Sequence, residues 1–457
     1  MPIGTAAVAN IADLRRGYAS DAFSPADVAE TVLARIEARG DDHVWIATVP
    51  PDELRAAAAA LARRRDRLAE LPLYGVPFAV KDNIDVAGLP TTAGCPDFSY
   101  RPERTAPVVA RLLDAGALLV GKTNLDQFAT GLTGARSPYG SCGSVFGNDL
   151  ISGGSSSGSA VAVAAGVVSF ALGTDTAGSG RVPAALNGIV GVKPTRGLLS
   201  TAGVVPACRS LDCVSIFTRD VADGRTVLGV ARGLSPDDPW GRGAPATSVH
   251  PRMPATLRLG VPLREDLEFF GDEGQSQRFA AGSRRVADVV ADAVPVELGP
   301  LFEAGDLLYK GPWVAERLAA LGDFLDSHPD SVLPVTRSVL ERGYLFDAVA
   351  TFRAQHRLRE LQAWTARLFE RVDVLVLPTI GTTYTHAQIA EEPLTRNLDL
   401  GRYTQFANLL DLAAVTVPNG FTVDGRPASL TLIGPAFSDA TLIRLATEVR
   451  LEGGTTP

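Results

Sequence analysis

At 457 residues, 46% hydrophobic and 21% charged, the chain has the make-up of a globular protein with a sizeable core, enough for one large α/β domain. A formal net charge of −8 gives no electrostatic basis for binding nucleic acid or an anionic membrane. No apolar run approaches the ~18 residues that a membrane span needs.

Four cysteines (Cys95, Cys142, Cys208, Cys213) form no CxxC pair, and the five histidines show no metal-ligand spacing. Neither a disulfide framework nor a metal is expected, and the setting that fits is cytoplasmic. One feature of the charge is unusual: of 43 basic residues only Lys81, Lys122, Lys193 and Lys310 are lysine. Arginine stays protonated inside proteins, whereas a desolvated lysine can give up its proton and act as a base. Lysine is therefore retained where arginine may not serve.

In chain order, Ser24-Pro25-Ala26-Asp27 ahead of VAETVLARIEAR predicts a helix start, with Ser as N-cap, Pro at the first helical position and an acid in the first turn. PDELRAAAAALARRRDRLAE predicts a second helix, whose arginines read as a solvated face because no aromatics interleave them. From about residue 72 short β-branched runs alternate with helical stretches: GVPFAV, APVVARLLDAG, ALLVG, NLDQFATG, SAVAVAAGV, VSFALGT and the run to GIVGVKP. That alternation is the α/β signature. Long Gly/Ser-rich loops at 131–159 and 174–181 lie between them, and irregular chain of that length inside a compact domain is usually functional. Residues 233–256, rich in Pro, Gly and Asp, read as a surface excursion. LRLGVP predicts a strand, residues 275–370 several helices, VDVLVLP a buried strand, and ASLTLIG with DATLIRLATEVR a closing strand–helix pair. Strand signals at both ends predict one domain over residues 1–457.

Three segments carry chemistry: Lys81 in VPFAVKDNID, Ser155 in SGGSSSGSA and Ser179 in GTDTAGSGRVPA. Amide hydrolysis by serine needs a nucleophile, a proton route to the leaving nitrogen, and donors for the oxyanion. A neutral lysine can move the proton if burial lowers its pKa. In TDTAGSG, small residues let the N–H groups of Thr176, Ala177, Gly178 and Ser179 curl around one point. Each piece alone has a plainer reading, since serines among glycines are mostly turn material and lone lysines mostly surface charges.

Two other motifs point elsewhere. Gly116 to Thr123 fits the phosphate-loop pattern GxxxxGK[ST], but ALLV within it is itself a strand, which makes Lys122 a structural charge at a strand end. Gly154 to Gly158 fits GxSxG with Ser156 at its centre, yet VFGNDLISG is a poor strand to precede such an elbow. A binding-only module of the same fold would be expected to lose Lys81 or Ser179, and both are present.

GGSSSGSA, then GTDTAGSGRVPA with Ser179 placed 24 positions after Ser155, and the upstream VKDN, closely resemble the amidase signature family. VGKTNLDQFATG and GIVGVKPTRGLLS look like its flanking blocks, so the strong resemblance spans about residues 70–220. It implies a single α/β/α domain around a mixed sheet, acting without a cofactor. Ser179 would be the nucleophile, Ser155, in a cis peptide, the proton relay, and Lys81 the base. Thr176, Ala177 and Gly178 would supply the oxyanion hole. Asp175 and Arg181 would support the loop, and Ser156 would hydrogen-bond within the same network. Most relatives carry a bulky residue after the nucleophile; Gly180 departs from that.

DTAGSGRVPA, VVPACRSLDCVSIF and LLYKGPWVAERLAAL resemble the allophanate-hydrolysing branch of this family. Allophanate is urea bearing a carboxylate on one nitrogen, so its pocket needs a cation. The resemblance assigns substrate binding to Tyr309 and Arg317, with the loop at Gly131 lining the same pocket. Gly311-Pro312 predicts a helix start that puts Arg317 in the second turn. Cys208 and Cys213 read as buried packing. Full-length members of that branch carry a second, C-terminal domain; the chain ends at LRLEGGTTP, and an amidase domain without it is expected. Other small amides (biuret, a malonamate-like acid, or a glutamine amide for tRNA amidation) remain alternative substrates. The expected partner is a small-molecule amide, with no nucleic acid and no membrane, and a homodimer left open.

Overall fold

The computed structural model describes residues 8–449 apart from 246, 247 and 249. Its short apolar runs become the strands β1 (Trp45–Thr48), β2 (Pro77–Lys81), β3 (Leu118–Thr123), β4 (Gly143–Ser144), β5 (Gly147–Ile151), β6 (Phe170–Asp175) and β7 (Val190–Lys193). They continue as β8 (Cys213–Thr218), β9 (Arg258–Pro262), β10 (Asp292–Val296), β11 (Val374–Pro378), β12 (Leu412–Phe421) and β13 (Pro427–Pro435). β4 and β5 pair with each other. The rest form one 11-stranded sheet in the order β1-β3-β2-β6-β8-β7-β12-β13-β11-β9-β10.

The sheet is mixed. β2 runs parallel to β3 and β6, while β6, β8, β7, β12, β13 and β11 alternate in direction. β2, β6, β8 and β11 are buried along their whole length, as strands covered by helices on both faces should be. Ser157–Ala164 is a helix of small residues that packs on β2, β3, β6 and β8. Its Gly158 passes so close to β1 that a Cβ would sit 2.3 Å from the Val44 carbonyl oxygen. The α/β fold with a central mixed sheet is thus the observed one.

Local signals mostly translate directly. Ser24 caps the helix Pro25–Arg39 in a reciprocal capping box with Asp27. ASLTLIG falls in β13, and DATLIRLATEVR supplies the helix Asp439–Glu448. NLDQFATG, read as helical, is instead a single 3₁₀ turn at Gln127–Ala129. Phe128 and Ala129 take left-handed backbone angles (φ 51° and 52°), which no helix tolerates. The turn is held from outside by the Phe128 N–H on the Ala93 carbonyl, 2.8 Å. VFGNDLISG, judged a poor strand, contains the short β5.

Lysine scarcity has a structural counterpart: Lys81, Lys122 and Lys193 have no exposed surface at all. Lys122 ends β3 in an ion pair with Asp82, 3.2 Å, both fully buried. It also donates to Thr91 Oγ1 at 3.0 Å. Burial pushes the Lys122 amine down and the Asp82 carboxyl up, each opposed by the other's charge. This lysine is therefore structural and holds no phosphate loop. Lys122→Met would strand Asp82 without its counter-charge, and urea unfolding should show a loss of about 3–5 kcal/mol. Adding Asp82→Asn should recover much of that loss; an unchanged unfolding midpoint in the single variant would show that the pair contributes nothing.

Candidate active site

The parallel pairing of β2 with β6 sets Val80 opposite Leu172, so the strand ends bring Lys81 next to Thr174. Lys81 Nζ donates to Thr174 Oγ1 at 2.7 Å and to Ser155 Oγ at 2.8 Å. Ser155 comes from the glycine-serine segment just before the helix Ser157–Ala164, and the Gly154–Ser155 peptide is cis. Among the described residues no carboxylate touches the amine. Burial lowers its pKa to about 7, against the opposing pull of Asp126, Asp212 and Asp175. A group poised there exchanges its proton at neutral pH.

Ser179 lies in the loop after β6 and is 3% exposed, and among the described residues its hydroxyl makes no hydrogen bond. The backbone N–H groups of Thr176, Ala177, Gly178 and Ser179 are likewise without partners among the described residues. Four consecutive donors without partners in a buried loop are a feature able to receive an anion.

The loop is shaped from several sides. Arg181 grips Asp175 through Nε and Nη2, both at 2.9 Å, and Asp175 Oδ2 accepts the Gly180 N–H at 3.0 Å. Burial raises the Asp175 carboxyl, but Arg181 and the other donors more than offset it, so the group is held below its ordinary value. Asn408 Nδ2 donates to the Asp175 carbonyl at 2.6 Å, and Thr404 Oγ1 to the Ala177 carbonyl at 2.7 Å. The Thr176 hydroxyl donates to Asp212, whose other acceptor sites take the N–H groups of Ala207 and Cys208. Ser156 Oγ donates to the Thr174 carbonyl at 3.1 Å and accepts its N–H at 3.3 Å, which ties the cis-peptide segment to β6. That backbone commitment agrees with a network role for Ser156 and not with a nucleophile elbow. The departure at Gly180 has a steric reason: a Cβ there would sit 2.4 Å from that of Ser215.

Tyr309 closes the helix Gly299–Tyr309, and Arg317 sits in the second turn of the helix Trp313–Ser327, as Gly311-Pro312 predicts. The Tyr309 ring lies under the Arg317 guanidinium at 5.3 Å. Arg317 is 1% exposed. Its Nη1 donates to Thr130 Oγ1 at 3.2 Å, while Nε and Nη2 are buried without a hydrogen-bond partner. Burial depresses its pKa, but Cys208, Tyr309, Asp212 and Glu316 around it more than compensate, and the group stays charged. Cys208 and Cys213 are buried free thiols. Gly131 packs between Asp126 and Arg136, where a Cβ would lie 2.6 Å from Asp126 Oδ2.

Sequence reasoning gave no role to Thr174, Asp126, Thr130, Arg136 and Asp212. Asp126 and Arg136 do lie in quoted or neighbouring segments, NLDQF and GARSPYG. Asp126 accepts the Arg136 N–H at 2.8 Å and the Gly134 N–H at 3.1 Å, and its own N–H donates to the Ser155 carbonyl at 3.0 Å. Burial raises the pKa of both Asp126 and Asp212. Among the described residues no three His, Cys, Asp or Glu side chains gather as metal ligands, and no helix is long and apolar enough to cross a membrane.

Comparison with known proteins defines an enzyme of the hydrolase class. The chain belongs to the amidase family: the family model described as Amidase matches residues 27–443. Urea amidolyase of Saccharomyces cerevisiae is 45% identical over 408 residues, which is 89% of this chain and 22% of that protein. The chain thus spans only 22% of the length of the urea amidolyases it matches. A subunit of the glutamyl-tRNA(Gln) amidotransferase of Acidobacterium capsulatum is 35% identical over 86% of this chain and 90% of its own length. Among solved structures, allophanate hydrolase of Kluyveromyces lactis superposes with a TM-score of 0.91 at 40% identity, covering 96% of this chain and 72% of the other.

Gly178 is a tightly constrained position of the loop, with φ +141° and a Cβ that would meet Thr404 Oγ1 at 2.3 Å. Gly178→Ala should displace the N–H crescent and cut amide turnover roughly 10²–10³-fold, the usual cost of losing an oxyanion donor. Circular dichroism should stay native; wild-type turnover would show that these N–H groups do not meet the substrate.

Proposed function

We propose that the chain hydrolyses the terminal amide of allophanate, releasing ammonia through an acyl-enzyme on Ser179. The observation that carries this reading is the edge of Arg317 that has no hydrogen-bond partner among the described residues. Nε and Nη2 form one side of a guanidinium, the side that Arg181 closes on Asp175, and in Arg317 both are buried and unpartnered. A buried guanidinium edge of this kind takes a carboxylate bidentately. Tyr309 stacked on Arg317 adds a second group for the same anion. The similarity to urea amidolyase and allophanate hydrolase supports the same substrate.

The contact of Lys81 with Ser155 supports the following chemistry. Neutral Lys81 accepts the proton of Ser155 as Ser155 accepts that of Ser179, and Ser179 Oγ attacks the amide carbon. The N–H groups of Thr176, Ala177 and Gly178 take the oxyanion. Collapse breaks the C–N bond, and the proton held by Lys81 returns through Ser155 to the leaving nitrogen, which departs as ammonia. Water then enters by the reverse proton route and frees the product acid from Ser179. No step needs a cofactor. A glutamine amide is the second reading, favoured by the match to nearly the full length of an amidotransferase component.

The base must be neutral to act, so kcat/KM should fall as pH drops through about 7, where Lys81 gains its proton. The limb reports the coupled Ser–Ser–Lys unit. A profile flat between roughly pH 5 and 9 would remove Lys81 from the proton route. Ammonia release from allophanate, biuret, malonamate, glutamine and simple aliphatic amides tests the substrate. Arg317→Ala should cut kcat/KM for allophanate roughly ten- to a hundredfold and spare uncharged amides. Equal losses on both would make Arg317 structural.

A further inference from the structure

A second guanidinium stands behind the one at the substrate pocket. Arg136 is 2% exposed, and it donates through Nη1 to the Thr130 carbonyl at 3.0 Å and through Nη2 to the Pro393 carbonyl at 2.6 Å. Its Nε is buried without a partner. Thr130 therefore carries both arginines, Arg136 on its carbonyl and Arg317 on its hydroxyl.

The hydroxyl's direction is set locally. It donates its single proton to the Phe128 carbonyl at 3.2 Å, which leaves only the oxygen lone pairs for Nη1 of Arg317. The turn before it holds Phe128 and Ala129 in left-handed conformations that cost energy and need outside support. Arg136 supplies that support from one side, bridging the turn to the chain at Pro393 and closing the loop through its own carbonyl, which accepts the Gln127 N–H at 2.7 Å.

We propose that Arg136 is a positioning residue for carboxylate recognition: by clamping Thr130 it fixes the hydroxyl that occupies Nη1 of Arg317, and so turns the open Nε/Nη2 edge toward the substrate anion. The inference rests on the allophanate reading above. Charge supports it. Two buried guanidiniums share one threonine, and burial raises the carboxyls of Asp126 and Asp212 beside them. Two buried cations this close favour an anion at the unpartnered Nε/Nη2 edge.

The test is a split between KM and kcat on allophanate. Arg136→Gln should raise KM roughly tenfold, the effect of loosening one charge-assisted contact, with kcat within about twofold of wild type. Arg136→Lys, which keeps the charge but loses the two-pronged grip, should fall between. Thr130→Val replaces the hydroxyl with a methyl group and guards against a folding failure of the arginine variant; it should reproduce the KM effect with a native circular dichroism spectrum and a melting temperature lowered by no more than a few degrees. A drop in kcat at constant KM, or wild-type kinetics in Thr130→Val, would overturn the proposal. Wild-type enzyme without allophanate turnover would instead overturn the substrate reading, whereas selective loss in Arg317→Ala with none in Arg136→Gln or Thr130→Val would overturn only the clamp.

Discussion

Lys81 is a primary amine with no solvent and no contacting carboxylate, and the surrounding architecture answers to that constraint. A buried amine keeps its proton if an acid touches it, and becomes a useless weak base if nothing polar does. The chain settles between these limits. Two hydroxyls, from Thr174 and Ser155, meet the amine directly, while Asp126, Asp175 and Asp212 act at one remove. Burial raises the carboxyls of Asp126 and Asp212, whereas Asp175 is held below its ordinary value with its charge taken up by Arg181. The parallel β2–β6 pair fixes this spacing from the backbone, which explains why the amine sits at a strand end and not on a loop.

The two buried arginines of the site show how one geometry serves two ends. Arg181 meets a carboxylate that the chain itself provides, six residues earlier, and the result is a rigid loop. Arg317 presents the same edge with no internal carboxylate to meet it. A fold that leaves such an edge without a partner forgoes stability there, since a buried unpaired donor costs roughly 1–3 kcal/mol.

How much of this was legible in the sequence depends on range. The capping box at Ser24 and the core strands such as VDVLVLP are local patterns, and they read correctly; Lys81 and Ser155, picked out in separate motifs, meet in the fold. The rarity of lysine was informative because three of the four proved fully buried. NLDQFATG misled because its apolar spacing suits a helix, while contacts from Ala93 and Arg136 force left-handed angles on it. The central strands β8 and β12 went unassigned because a run such as DCVSIFT has neither alternation nor flanking turns to mark it. Thr130, Arg136 and Asp212 carry no motif of their own. What they do depends on groups up to 257 residues away, as between Arg136 and Pro393, and only the folded chain reveals it.

The depressed ionisation of Lys81 has a thermodynamic side as well. In the unfolded chain this amine keeps its proton up to its ordinary pKa of 10.5, whereas in the folded chain it releases it near 7. Below about pH 7 the fold must carry a buried ammonium, and the penalty is fully present; it fades as pH climbs through the interval to 10.5, because there the unfolded chain binds the extra proton. The buried amine is thus a standing load on the native state, greatest on the acid side. Acidification accordingly weakens the fold through this one nitrogen atom.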